Sequence, residues 1–313
     1  MLSYIFRKLL LAIPTLFIVS IIVFGLMRLI PGDPVAVIAG DIKDVKLLAV
    51  IRADYGLDKP ITTQYAVWIG KILSGDLGNS IITGTPVLET AAKRFIVTAQ
   101  LVLPALLLSV LVAIPAGLYA AWKQNQGADA AIMVTVVLAI SIPSFWVGML
   151  LILVFGVWLG WLPTVGYVSP GDNFIEGITY LLLPVISIMF VELASITRMM
   201  RSNAIDVMRQ DYISHARAKG ASETRVLYKH ALKNAFAPTL TLLGLMLGSL
   251  LGGAAVVETV FSLPGLGRFL VDGIYARDYP VVQGVLLLVS VVYVATNLLV
   301  DLLYPVFDPR IKL

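Results

Sequence analysis

Few residues of this 313-residue chain are of a type that does chemistry. Cysteine is absent, which excludes disulfides, thiolate metal sites and cysteine nucleophiles. The two histidines, His215 and His230, lie in a polar stretch, with no carboxylate or third histidine spaced to complete a metal site; they read as surface residues. No G-x-x-x-x-G-K-S/T phosphate loop, H-E-x-x-H or G-x-S-x-G occurs, so the chain should not hold ATP through a phosphate loop. A hydrolase inside a membrane would need a nucleophile beside a base, and neither histidine lies in an apolar run. The chain reads as a non-enzyme. What remains is a handful of ionisable residues within apolar runs and one long basic stretch.

That stretch is Asp211 to Pro238, DYISHARAKGASETRVLYKHALKNAFAP. It reads as helix, glycine turn, helix. Asp211 suits an N-cap, Gly220 a left-handed C′ position and Ser222 the cap of a second helix, while Pro238 marks the start of a new segment. Ile205, Met208, Tyr212 and Ala216 recur at helical spacing as one apolar face, with Arg209 and Arg217 away from it. On the second piece Tyr228, Leu232 and Phe236 form a row beside Lys229 and Lys233. Such a hairpin could rest on anionic lipid or enter a groove on a soluble partner. A tight turn at Gly220 favours docking, because lipid binding asks for no defined turn.

The elements that position it are membrane spans. Hydrophobic residues make up 59% of the chain and charged residues 13%, against roughly 25% charged in soluble domains. The expected fold is an all-α polytopic membrane protein, a single domain over residues 1–313. Six spans fall at about 9–30, 96–122, 132–159, 180–196, 237–257 and 281–304, with an outer region at 31–94 and the polar loop at 198–235. The first run exceeds the roughly 7–15 residues of a signal peptide core and reads as a retained span. Arg198 to Lys233 holds eight Arg and Lys (Arg198, Arg201, Arg209, Arg217, Lys219, Arg225, Lys229, Lys233) against Asp206, Asp211 and Glu223. The positive-inside rule therefore places it in the cytoplasm, together with both termini and the Lys123 turn. A net charge of +4 distributed in this way points to membrane lipid rather than nucleic acid.

The outer region balances its charges and carries two amphipathic pieces, Val45, Leu48, Ile51 and Tyr55, then Ile61, Tyr65, Trp68, Ile69 and Ile72. They suit short helices lying on the outer membrane surface, packing against the span ends, or both at once. Pro104, Pro115, Pro143 and Pro184 fall inside spans and suggest kinks. Trp158, Trp161 and Tyr167 form an interfacial aromatic cluster. Glu192 sits in the inner half of span four, Arg28 near the outer end of span one and Asp301 near the inner end of span six. A charge in hydrocarbon is costly, so Glu192 either lines a pathway or pairs with a basic residue of the following segment. Gly244, Gly248 and Gly252 form a stripe that admits close helix approach, whether as a pathway wall, a subunit interface or an internal seam.

Ala216-Arg-Ala-Lys-Gly-Ala221 in its setting resembles the EAA loop of ATP-binding-cassette (ABC) importer permeases, type I, in the form used by the dipeptide/oligopeptide/nickel branch. The general pattern has Glu where this chain has Ser214 and Pro where it has Lys233; it keeps Ala216, Gly220 and Leu232, and the departures are typical of the branch. Pro31-Gly-Asp-Pro34, Tyr55-Gly-Leu-Asp-Lys-Pro60, Gly75-Asp-Leu-Gly78, Gly160-Trp-Leu-Pro163, Leu263-Pro-Gly-Leu-Gly267 and Arg277-Asp-Tyr-Pro280 are similar to the first permease of that branch's heterodimeric pair. The resemblance spans nearly the whole chain.

It implies a multi-pass protein of the bacterial inner membrane that works with a second homologous permease, two cytoplasmic ABC ATPases and an extracytoplasmic solute-binding protein. It implies no cofactor in this chain, ATP and Mg being held by the ATPases. Asp211, Tyr212, His215, Ala216, Arg217, Ala218, Lys219, Gly220 and Ala221 would form the coupling helix, seated in an ATPase groove. Transport would run by ATP-driven alternating access. Di- and oligopeptides are the branch's commonest cargo; nickel, glutathione, opines and sugars share the pattern. A secondary carrier is the rival, but it should show inverted-repeat symmetry and a relay of ionisable groups, and neither is visible. A scaffold or receptor that moves no solute is the third reading, separated by which chains co-purify.

Overall fold

Hydrocarbon leaves backbone groups no partner but each other, so apolar runs of this length must be helical. In the computed structural model, which describes residues 2–29 and 58–307, they are. Pro31–Pro34, the amphipathic piece from Val45 to Tyr55 and the tail Asp308–Leu313 lie outside the described residues. The elements are α1 (Leu2–Leu29), α2 (Ile61–Leu73), α3 (Val87–Trp122), α4 (Gly127–Ser141), α5 (Ser144–Leu151) running into a π-helical turn at Ile152–Trp158, and α6 (Phe174–Met208). Then follow α7 (Asp211–Ala218), α8 (Glu223–Arg225) with a π-helical turn at Val226–Ala231, α9 (Leu232–Gly253), α10 (Ala255–Val260), α11 (Leu266–Tyr275) and α12 (Tyr279–Phe307). Strand structure among the described residues is limited to one isolated bridge, Asn79 to Pro86. Among the described residues five helices are long and apolar enough to span a bilayer, and the α4–α5 pair is a sixth if its two halves make one span.

The centre of the bundle is the pairing of α3 with α6. Leu101, Val102 and Ala105 of α3 are sealed against Leu181, Leu183, Val185 and Ile188 of α6, and α9 and α10 close the cluster with Leu251, Ala254, Val257 and Phe261. Further along the same pair, Leu118 and Ala121 meet Met200, Ala204 and Ile205, joined by Ala235 of α9. The 36 residues of α3 extend about 54 Å at 1.5 Å per residue, well beyond a hydrocarbon core of about 30 Å, so its ends carry structure outside the membrane.

Prolines behave unequally. Pro104, Pro115 and Pro184 sit within unbroken helices, whereas the expected third span breaks at Pro143 and bends by 94°. Ile142 adopts extended backbone (φ −103°, ψ 125°), the conformation favoured before proline, and Pro143 caps a new helix. The bend brings Gly148 of α5 so close that a Cβ there would stand 2.8 Å from the Phe261 ring.

α1 is the least enclosed span. One end is tied to α12 by the ion pair Lys8–Asp301 at 2.7 Å, so the charge expected near the end of span six has a partner. At the other end α2 packs on α1. The Ser20 and Tyr65 hydroxyls stand 2.7 Å apart, Tyr65 meets the Phe24 ring edge-on, and Arg28 covers Phe24 while donating to Gln64 at 2.7 Å. The expected packing of this amphipathic piece against a span end is observed. α1 and α12 are antiparallel, and both outermost helix ends, near Lys8 and Asp301, lie at one end of the bundle.

Candidate functional site

The polar hairpin is built around its turn. Lys219 ends α7 and Gly220 follows at φ +81°, a conformation that disfavours any Cβ. Ala221 N–H donates to Ala216 O (3.2 Å) and Gly220 N–H to Arg217 O (2.9 Å), the paired bonds of a Schellman motif. Ser222 caps α8 by accepting from Arg225 N–H at 3.4 Å. Across the turn, Arg217 grips Glu223 through two bonds of 2.8 and 3.2 Å. Both partners are part-exposed, so the pair is worth at most about 1 kcal/mol and serves mainly to set the angle between the pieces.

Two expectations about the hairpin need correction. Asp211 is not the N-cap: Gln210 holds that position in extended backbone, without a side-chain cap bond, and Asp211 is the first helical residue. There its carboxylate complements the positive end of the helix. Pro238 does not begin a new segment, because α9 starts at Leu232 and runs through it. The second half of the hairpin therefore continues through the π turn into a span, from Glu223 to Gly252.

The apolar face also differs from the periodic one. α6 ends at Met208, so Ile205 and Met208 belong to its core cluster rather than to α7. The anchor of α7 is Ile213, fully buried, on a helix that packs against the π turn carrying buried Val226, Leu227 and Ala231. Asp211, Tyr212, His215, Arg217, Ala218, Lys219 and Gly220 are exposed; Ala216 and Ala221 are partly so. Tyr212 is held at its hydroxyl by Asn234 Nδ2 (2.7 Å). The hairpin thus presents a rigid outward face with one aromatic ring fixed from behind. Where α6 and α9 meet beneath it, Asn203 Nδ2 donates to Ala235 O (3.3 Å) and Thr239 Oγ1 (3.2 Å). Nearby, Arg201 forms two short bonds to Asp129 (2.5 and 2.6 Å), and that carboxylate also accepts from Asn125 N–H. This part-buried pair staples the α3–α4 turn to α6, about two turns before that helix ends.

Gly244, Gly248 and Gly252 are an internal seam. A Cβ built at Gly244 would fall 2.5 Å from Val300 Cγ2, one at Gly248 onto the Tyr293 ring, and one at Gly252 3.1 Å from Val289. All three partners lie on α12, so the stripe packs α9 against α12 within the subunit. Glu192 is part-buried on α6 and forms no hydrogen bond or ion pair with any described residue, which removes the expected pairing with the following segment.

A model of the inner membrane component of binding-protein-dependent transport systems matches residues 113–313, and a model of the N-terminal part of such components matches residues 1–102. The chain belongs to that family. A glutathione transport system permease protein of Escherichia coli is 43% identical over 312 residues, covering 100% of this chain and 99% of that one. A dipeptide transport system permease protein of Alkalihalophilus pseudofirmus is 39% identical over 332 residues, with both chains fully covered. The chain is therefore a multi-pass bacterial inner-membrane permease subunit of a binding-protein-dependent ABC importer.

Two buried carboxylates of this permease escape sequence reading. Glu258, fully buried, accepts from Thr98 Oγ1 of α3 (2.5 Å) and from the backbone N–H groups of Arg268 (2.7 Å) and Gly267. Thr98 in turn accepts from Leu266 N–H (2.8 Å), so the Leu263–Gly267 turn is strapped to α3. Gly265 lies so near that a Cβ there would occupy the carboxylate's own position. Asp278 accepts from Ser80 Oγ (2.5 Å), Ile81 N–H (3.2 Å) and Val281 N–H (3.4 Å), binding the 75–86 loop to the start of α12. The motifs at 75–78 and 277–280 are thereby one structure. Only the position of each carboxylate, beside a turn-rich motif, could have hinted at this.

Proposed function

We propose that this permease imports di- and oligopeptides handed over by an extracytoplasmic binding protein, paired with a second homologous permease and driven by two cytoplasmic ABC ATPases. Those ATPases hold ATP and Mg; this chain hydrolyses nothing. Both termini and the 198–235 loop face the cytoplasm, in keeping with its eight basic residues. Helix α7, with the turn through Ala221, is the coupling helix. Tyr212, His215 and Ala216 meet the ATPase groove, with Arg217 and Lys219 at the rim. Closure of the ATPase dimer draws the hairpins together and turns the pathway outward; hydrolysis resets it. Peptides are favoured as cargo because the similar permeases carry dipeptide and glutathione, itself a short peptide, in their names.

The observation that carries the reading is the doubly bonded Gly220 turn with Ile213 buried behind it, because a coupling site must be stiff enough to bias two global states. The chain has no cysteine, so His215→Cys supplies a single thiol in this subunit. With the four-subunit membrane complex in proteoliposomes, that thiol should cross-link to an ATPase chain, and dipeptide uptake should require ATP and binding protein. Uptake driven by a proton or sodium gradient without ATP, or cross-linking to lipid alone, would refute it.

A further inference from the structure

On α6, Glu192, Ser195, Met199, Ser202 and Asp206 fall at steps of three and four, one row along the helix. All five are at least partly exposed, Ser202 and Asp206 fully so. Glu192 lies six residues before Arg198, about 9 Å along the axis at 1.5 Å per residue, inside the apolar part of the span. A row of this composition does not face lipid tails. α9 carries a second exposed row, Pro238, Thr241, Leu245 and Ser249.

The two rows belong to one wall. α6 and α9 are antiparallel neighbours joined at Met200, Asn203, Ala235 and Thr239. At about 100° per residue, each row stands about 90° from its own helix's seam residues, in the direction of decreasing angle. Antiparallel helices wind in opposite senses seen from one end, so the two rows open to the same side of the seam. The glycine stripe of α9 points elsewhere, into α12.

We propose that these rows line the solute pathway of this permease, and that Glu192 receives the α-ammonium group of a passing peptide. This rests on the peptide-importer reading above. Glu192 is the carboxylate of the wall that lies deepest and has no described partner. A zwitterionic peptide supplies the cation at its N-terminus, while the hydroxyls of Ser195, Ser202 and Ser249 suit backbone amides. The row then descends towards the hairpin end, the direction in which an imported solute must leave.

The test uses the assembled complex in nanodiscs and single cysteines in this cysteine-free chain. A charged, membrane-impermeant thiosulfonate should label Ser195→Cys, Ser202→Cys and Ser249→Cys at least tenfold faster than Leu107→Cys and Val137→Cys, which are exposed apolar positions off the wall. Labelling at the control rate would mean that the second permease covers the rows, and would overturn the proposal. In proteoliposomes, Glu192→Gln should lower dipeptide uptake about tenfold while ATPase stimulation by loaded binding protein persists; Glu192→Asp should stay within about threefold of wild type. Unchanged uptake in Glu192→Gln, or equal losses in both variants, would overturn it. If the unmutated complex shows no ATP-driven dipeptide uptake, the importer reading fails, whatever the labelling shows.

Discussion

Replacing Gly220 separates backbone strain from side-chain bulk, because no atom of this chain lies within 4 Å of where a Cβ would stand. Any cost within the subunit comes from φ +81° alone. An L-residue in that region costs roughly 1–2 kcal/mol, and a β-branched one more, while asparagine tolerates it. A loss of that size shifts the intact turn against a frayed one by roughly 5- to 30-fold. It acts on the two bonds closing the turn, Ala221 N–H to Ala216 O and Gly220 N–H to Arg217 O. ATP consumed per dipeptide imported should therefore rise in the order Gly220→Asn, Gly220→Ala, Gly220→Val, while all four chains still co-purify. The assay is paired measurement of phosphate release and labelled dipeptide uptake in proteoliposomes. Normal coupling in Gly220→Val refutes the lever. Asparagine as damaging as valine would show that a partner rejects the side chain and that backbone geometry is beside the point.

Two further substitutions test the frame. Thr98→Val takes one of three bonds from Glu258 and leaves the buried Leu266 N–H without its acceptor, a loss of about 1–3 kcal/mol. The melting temperature of the detergent-solubilised complex should fall, and Thr98→Ser should restore most of it; an unchanged melting temperature in Thr98→Val would sink the strap. Gly248→Leu places its side chain on the Tyr293 ring, so the subunit should fail to accumulate, and Tyr293→Ala should recover part of the yield. Equal yields of Gly248→Leu with and without the second change would argue against the α9–α12 seam.

What the sequence made legible was local. Gly220 and Ser222 announce a turn and a cap through their own backbone preferences, and both stand where expected. Asp211 misled because the break in the chain falls one residue earlier, at Gln210, and cap preference alone cannot register that shift. Proline misled at Pro238 but not at Pro143, where the expected kink is a 94° bend. α9 runs through Pro238, which stands on an exposed face of the helix, whereas at Pro143 the extended backbone of Ile142 breaks the span and α5 packs close to Phe261. The period that joined Ile205 and Met208 to Tyr212 and Ala216 ran across a helix end invisible to periodicity. Glu258 and Asp278 were illegible for another reason: their partners, Thr98 and Ser80, lie 160 and 198 residues away, and only the packed bundle brings them together.

These long-range ties show how the hairpin can act on the far end of the molecule. α6 is unbroken for 35 residues, so a displacement at Met208 is carried along its axis. Arg201 binds α6 to the α3–α4 turn through Asp129, and the α3–α6 core makes the two helices one body. At the other end of α3, Thr98 holds Glu258 and with it the turn that begins α11. If α7 is the coupling helix proposed above, its displacement should carry α3, α6 and the Leu263–Gly267 turn together, and with them the α6 row bearing Glu192.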